Sequence, residues 1–330
     1  MNLPITVILV NYRRTEETIE CVRSLHNCLP GPEQIIVVDN GSTADSAQAL
    51  RAGCPGVILL ESTRNLGFAG GNNLGIRRAI EQQVRYILLL NNDTIVEPDA
   101  LAKLSAAAEV SRQAGVLGAK IRYFDNHKIL WYAGGTMNPA SGHVTHFGMG
   151  EPDTGQYDHA VEVGFVTGCC MFIRREVLET VGLLDETFFA YLEDVDFSFR
   201  ARRAGFQILY EPSAIIYHKV SRSTLWDSPA YLYFNLRNRL LLRRRHSSWL
   251  QAAQYFPSFC WYYIRQFLRL ALRWRDTAGL RGAWYGLVDG LMGFTGEDGS
   301  GRLALLPPAN ERTNRGRHAL QRITTDVRRS

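Results

Sequence analysis

The sequence contains no stretch of 18 residues that is apolar throughout and free of charge, so no transmembrane helix is expected. Its opening, MNLPITVILVNY, has no charged leader ahead of an apolar core and no small-residue cleavage site, and reads as a first core strand rather than a signal peptide. None of the six cysteines (Cys21, Cys28, Cys54, Cys169, Cys170 and Cys260) forms a CxxC pair, and several fall in apolar runs. That usage points to a reduced compartment and a cytoplasmic chain. Internal repeats and low-complexity tracts are lacking. The first strand is followed by NYRRTEE and not by a glycine turn, which weighs against a dinucleotide-dependent dehydrogenase. Carboxylates are scarce toward the C-terminus: residues 222–330 carry 18 arginines against 7 acids, a charge of +11, so the first 221 residues carry 5 − 11 = −6. No nucleic-acid-binding motif accompanies the basic part, so an anionic surface such as a membrane, and not nucleic acid, is the expected partner.

What is present is a strand–helix alternation. Ile5–Val10, Ile35–Val38, Val57–Leu60 and Tyr86–Leu90 are apolar runs, as strands covered on both faces should be. Helical patterns follow the first, third and fourth of them, and residues 64–72 read as a glycine-rich loop leading into the second of these helices. Shorter strands are expected at Val116–Tyr123, Ile129–Ala133 and Val144–Phe147, and the run Val163–Ile173 is broken at Gly168. Helices are expected at Arg175–Val181 and Leu192–Ala204, then two late strands, Gln207–Tyr210 and Ala214–Tyr217. The pattern predicts an α/β fold: an open, mostly parallel sheet flanked by helices, with a C-terminal helical extension. Residues 1–225 form the expected catalytic domain, 226–295 an Arg-rich helical extension and 296–330 a flexible tail.

Three acids sit where apolar segments end. Asp39 closes EQIIVVD, and a carboxylate only accepts hydrogen bonds, so it suits the N3–H of uracil or thymine. Asn11 and Tyr12 lie beside it at the end of the first strand, Tyr12 as a stacking platform for the base, and Asn40 is a further candidate for holding the nucleotide sugar; a plain turn-capping role for Asp39 stands as the alternative. In RNLGFAGGNN (64–73), Gly70 and Gly71 would let backbone approach a phosphate, with Asn65 and Asn72 as hydrogen-bonding candidates; the alternative is a tight turn. Asp93 is the one ionised group of NNDT, after Asn91 and Asn92, and a hard cation bound to two phosphates needs few protein ligands. His218, at the end of AIIYH and beside the SRST turn, is the candidate to complete that shell. In YLEDVDF, Glu193, Asp194 and Asp196 crowd a helix start. Such acids complement the helix dipole, but three so close should raise at least one pKa, as a general base requires.

The segments VNY (10–12), VVDNGS (37–42), NLGFAGGNN (65–73), LLLNND (88–93), TGCCMFIRR (167–175), GLLDETFFAYLEDVDFSFRARRAG (182–205) and YHKVSRS (217–223) resemble, in order and spacing, the family-2 glycosyltransferases, and within them the bacterial rhamnosyltransferase-like branch. The resemblance covers roughly residues 4–245. It implies a GT-A fold, a divalent cation (Mn2+ or Mg2+) and inverting transfer from a dTDP- or UDP-sugar to a glycan or lipid-linked acceptor in surface-polysaccharide synthesis. It also implies that Asp194 is the base with Glu193 its neighbour, that Asp93 and His218 hold the metal, and that Asn91 stands where the family's metal motif has its first acid. Thr167 and Gly168 would line the acceptor side. A nucleotidyltransferase and a catalytically decayed sugar-nucleotide-binding subunit are the competing expectations. No basic triphosphate loop follows the first strand, which counts against the former; NND in place of DxD favours the latter.

Beyond Ser228 the text is helical. Arg265, Arg269 and Arg273 recur every four residues among Trp261, Phe267, Leu268 and Leu272, a pattern of helices that lie in a membrane surface or pack on a neighbouring domain. The expectation is a chain that binds peripherally at the inner face of the cell membrane.

Overall fold

The structure, a computed structural model, describes residues 3–220, 228–274 and 276–306. The SRST turn (221–224) and the tail beyond residue 306 lie outside the described residues, as does the side chain of Arg273. The chain divides into two compact units: one holds residues up to Thr136, His146–Glu186 and Glu193–Val220, the other Met137–Thr145, Thr187–Leu192 and the chain from Ser221 onward.

The elements run β1 (Leu3–Asn11), α1 (Thr15–His26), β2 (Pro32–Asn40), α2 (Ala44–Gly53), β3 (Ile58–Ser62), α3 (Gly67–Glu81), β4 (Tyr86–Asn91), β5 (Thr94–Val96), α4 (Ala100–Val110), β6 (Ala114–Tyr123), β7 (Asn126–Tyr132), β8 (Gly135–Asn138), β9 (His143–His146), β10 (Val161–Glu162), β11 (Cys170–Arg174), α5 (Arg175–Val181), α6 (Glu193–Arg203) and β12 (Gln207–His218). Four helices follow: α7 (Pro229–His246), α8 (Trp249–Gln254), α9 (Phe256–Leu268) and α10 (Thr277–Met292).

In the first unit a ten-stranded sheet has the order β10-β12-β6-β11-β4-β1-β2-β3, with β5 paired to β12 and β7 to β6. Strands β4, β1, β2 and β3 are parallel, as the apolar runs predict; the interiors of β4, β1 and β2 are almost wholly buried, whereas β3, at the sheet edge, is only partly covered. Strand β11 enters antiparallel between β4 and β6. The two late strands form one, β12, whose register against β6 shifts between Glu211 and Ile215; Pro212 lies in the gap, where its missing N–H costs no ladder bond.

The glycine-rich segment differs from expectation: Gly67 opens α3, and Gly70, Gly71 and Gly75 lie inside the helix. The reason is close packing. A Cβ at Gly71 would stand 2.9 Å from Val10 Cγ1, and one at Gly75 2.6 Å from Ile8 Cγ2, so bare glycines let α3 settle directly on β1.

In the second unit α10 lies against α7. Its Gly282 and Gly286 face the Pro229 and Tyr233 backbone too closely for any Cβ. Leu232, Leu236, Leu240, Phe259, Tyr263 and Leu270 form its core. The arginines of α7 are less available to a surface than their number suggests. Arg237, 1 % exposed, donates to the carbonyls of Thr187, Phe188 and Gly296, and Arg239 and Arg243 donate to those of Gly142 and Ala140. Asn238 donates to the carbonyls of Phe188, Ala190 and Tyr191. These bonds hold a loop in which Phe189, Tyr191 and Leu192 all have positive φ, a conformation that non-glycine residues keep only when their surroundings impose it.

Candidate active site

The site lies in the first unit, at the carboxyl ends of β1, β2 and β4. Asn11 faces Asp39 across the β1–β2 register, and its Nδ2 donates to Asp39 Oδ1 at 2.9 Å. The network continues: Thr18 donates to Asn11 Oδ1 at 3.0 Å, and Asn92 Nδ2 donates to Thr18 Oγ1 at 2.8 Å. The acid expected to read the base is thereby tied, through two side chains on β1 and α1, to the turn that carries Asp93. Tyr12 is exposed at the mouth of this network, with the Arg13 guanidinium 5.1 Å from its ring centroid.

Several candidate hydrogen bonders are engaged by the protein itself. Asn40 donates to Asn65 Oδ1 and to the Gly67 carbonyl and accepts from the Leu66 N–H, so its amide pins the turn into α3. Asn65 also accepts from the Gly67 N–H, and Asn72 donates to the Phe68 carbonyl within the helix. Gly70 and Gly71 turn their bare faces to Leu66 and Val10. Asn73, not singled out from the sequence, bridges α3 to the Leu184 backbone and Glu186. The NLGFAGGNN string is thus in large part a device for seating α3.

Asp93 sits in the tight turn from β4 to β5, nearly fully buried, and its Oδ1 lies 3.1 Å from His218 Nε2 at the end of β12. Antiparallel pairing of His218 with Thr94 brings the two together. The His218 ring packs edge-on with Trp131, centroids 4.5 Å apart, and its Nδ1 has no hydrogen-bond partner among the described residues. Packing, rather than a bond to the second nitrogen, holds the imidazole. No group of three or more His, Cys, Asp or Glu side chains among the described residues could hold a metal. One carboxylate and one imidazole nevertheless fit a cation that takes its remaining ligands from phosphate and water. Trp131 carried no signal in the sequence, since its string KILWYA reads simply as strand.

The third group forms where TGCC meets α6. Gly168 N–H donates to Asp194 Oδ2 at 2.8 Å, and the Val195 N–H donates to Oδ1 at 2.8 Å. Glu193, at 4 % exposure, has an Oε2 with no partner among the described residues. Burial pushes the pKa of both carboxyls up, and for Glu193 the Asp194 charge adds to it. The expected rise is present, with desolvation ahead of mutual repulsion as its cause. Two N–H donors favour the charge on Asp194, so the proton of this coupled pair rests on Glu193. Asp196, the third acid, is an anchor: Arg200 Nε donates to it at 2.8 Å and the same guanidinium reaches the Val181 and Leu183 carbonyls.

Cys169 connects the groups. The Asn91 N–H donates to its carbonyl at 2.9 Å, and its buried thiol is pushed up first by desolvation and then by the charge of Asp93, with a further contribution from Asp194. Both carboxylates therefore lie within electrostatic range of one side chain. Cys170 and Cys21, also buried, are each pushed up to about 12 and are packing groups, not nucleophiles. Gly168 is bare because a Cβ there would stand 2.8 Å from Phe68 Cζ and 3.6 Å from Asp194 Cβ. With Asp194 taken as the base, Gly168→Ala is expected to displace this turn and lower kcat roughly 10–100-fold, since moving a reacting group by about 1 Å can cost about 10²-fold. A kcat equal to wild type would show that the Phe68–Gly168–Asp194 packing does not set the position of the carboxylate.

Residues 3–240 match the family described as "Glycosyltransferase like family 2". The chain is 29% identical over 267 residues, 74% of it and 86% of the relative, to an N-acetylglucosaminyl-diphospho-decaprenol L-rhamnosyltransferase of Mycobacterium tuberculosis. It is 27% identical over 241 residues, 72% of it and 74% of the relative, to a low-salt glycan biosynthesis hexosyltransferase of Haloferax volcanii. Among solved structures, a mannosyltransferase from Pyrobaculum calidifontis in complex with GDP-Man and Mn2+ has the same fold, with a TM-score of 0.55 at 14% identity over 88% of each chain. The fold is that of the GT-A glycosyltransferases, and the chain belongs to glycosyltransferase family 2.

Proposed function

We propose that this glycosyltransferase works with inversion, moving L-rhamnose or another hexose from a dTDP- or UDP-linked donor to a glycan or lipid-linked acceptor in cell-surface polysaccharide synthesis. The observation that carries the reading is the placement of Asp194, held by the Gly168 and Val195 N–H groups, beside a turn whose Cys169 carbonyl accepts from the Asn91 N–H two residues before Asp93. A direct displacement needs one base near the reacting carbon and no second flanking carboxylate acting as nucleophile. Asp194 takes the proton of the acceptor hydroxyl as its oxygen attacks. Glu193, holding the pair's proton, keeps a second negative charge away from the incoming oxygen. Gly168 orients Asp194 through its N–H, while Thr167 and Gly168 border the acceptor. Asp39 accepts the N3–H of the base and Tyr12 stacks on it. Asp93 and His218 would hold a divalent cation, Mn2+ or Mg2+, which when bound neutralises the charge gathering on the departing diphosphate.

The names of two relatives, one a rhamnosyltransferase and one a hexosyltransferase, support the sugar class. The donor is tested by thermal stabilisation with a panel of nucleotide sugars. A pyrimidine nucleotide sugar at about 100 times its Kd should add roughly 2.7 kcal/mol of stability. Stabilisation by GDP-sugars alone would overturn the role given to Asp39. Asn91 and Asn92 favour a second reading, a subunit that binds the donor without turning it over. Calorimetric binding with no transfer and no donor hydrolysis would establish that one instead.

A further inference from the structure

We infer that α8 and α9 form a docking surface for an anionic lipid bilayer. The surface belongs wholly to the second unit, so the inference goes beyond the catalytic reading and would stand if that reading fell.

Helix α9 is apolar on both sides. Phe259 and Tyr263 point inward to Leu232, Leu236 and Leu240 of α7. The other side carries Trp261, Ile264 and Leu268 at helical spacing, 60%, 49% and 46% exposed. Phe256 at the start of α9, and Trp249 and Leu250 on the first turn of α8, are exposed as well. A helix that is hydrophobic all round is ordinarily buried on all sides, and among the described residues nothing covers this one on the side of Trp261, Ile264 and Leu268. No helix among the described residues is long and apolar enough to cross a membrane, so the surface fits a bilayer interface rather than a span.

Charge decides the occupant. Residues 228–275 contain nine arginines and no aspartate or glutamate. Several of those arginines are spent on backbone carbonyls, but Arg265 is exposed on the apolar side between Ile264 and Leu268. Exposed indole rings and a guanidinium suit the headgroup region, where the ring and the aliphatic stem bury while the charge stays wet. A second copy of the chain meeting this face across a two-fold axis would set arginine-bearing surfaces against each other with no carboxylate to compensate.

The test is flotation of the full chain with phosphatidylcholine vesicles, with and without phosphatidylglycerol, alongside sedimentation of the lipid-free protein. The chain is expected to float with phosphatidylglycerol vesicles and only weakly with phosphatidylcholine alone. The triple variant Trp261→Ser, Ile264→Ser, Leu268→Ser should bind at least about tenfold less, and Arg265→Glu should lose the preference for anionic lipid. All four positions are solvent-exposed, and an unchanged melting curve confirms the fold. No flotation of the wild type, a triple variant that floats as well as wild type, or a lipid-free dimer that the triple variant dissociates would each overturn the inference.

Discussion

Asp194→Asn is expected to lower the transfer rate by roughly 10²–10⁴-fold while donor affinity stays within a few-fold. Asparagine keeps the size of the side chain but cannot take the acceptor proton. It also offers one acceptor where Gly168 and Val195 both present N–H groups, so one donor loses its partner at a cost of roughly 1–3 kcal/mol. Kinetics should therefore accompany a melting curve, because a small loss of stability is expected alongside the large loss of rate. A variant that transfers sugar at close to the wild-type rate would remove Asp194 from the reaction.

The pH behaviour follows from the same pair. Because the carboxyl pKa values are raised, the wild-type rate should climb with pH at values above the ordinary carboxylate range, and Asp194→Asn should flatten that limb. Stability moves the other way. A carboxyl whose folded pKa exceeds its unfolded one contributes stability that is full below the unfolded pKa and is lost as pH rises through the folded value. Glu193→Gln, which stays neutral, should consequently melt roughly 2–4 °C above wild type at alkaline pH and show no advantage in acid. Identical melting temperatures across the range would mean that Glu193 is not held protonated by its burial. The poised base is then a place where stability is given up for chemistry.

How much of this was legible beforehand depended on whether the signal was local. The strands β1, β2 and β4 and the polar residues that end them could be read because a buried parallel strand is a continuous apolar run with a polar stop. Helix α6 came within a residue of expectation, since its acids, its arginines and Gly205 mark both ends. The glycines of α3 could not be read correctly. Their cause is contact with Val10 and Ile8, some sixty residues away in sequence, and a glycine set for packing looks like a glycine set for a turn. The same holds for β11, whose antiparallel place between β4 and β6 leaves no mark in CMFIR. The buried Lys120–Asp153 ion pair, which Arg122 and the exposed Asp158 join, is likewise illegible, because it brings together charges from distant segments. For Asp93 and His218 the sequence offered two lone strand ends, and only the β5–β12 pairing puts them 3.1 Å apart.

That pairing makes Asp93→Ala the sharpest test of the leaving-group side. Removing the carboxylate should cut kcat/KM by about 10²–10⁴-fold, since stabilising a departing diphosphate is worth several kcal/mol and each 1.36 kcal/mol is tenfold in rate. Because Asp93 is buried against His218, the variant also strips Nε2 of its partner, so Asp93→Asn, which keeps the volume and an acceptor oxygen, separates charge from packing. Both variants should lose Mn2+ binding measured by calorimetry without substrate, and His218→Ala should weaken it while leaving Asp39 and its network intact. Trp131→Ala should fall between them, because it frees the imidazole to turn away from Asp93, whereas Trp131→Phe keeps an aromatic edge against the ring and should bind Mn2+ nearly as wild type does. Full activity of the wild type in excess chelator would remove the cation from the mechanism, and the Asp93–His218 contact would then be a strand-end hydrogen bond that holds β5 against β12. Loss of Mn2+ binding in the variants, with the wild type inactive in chelator and restored by Mn2+, would instead assign the two strand ends to the diphosphate and leave the binding-only reading without support.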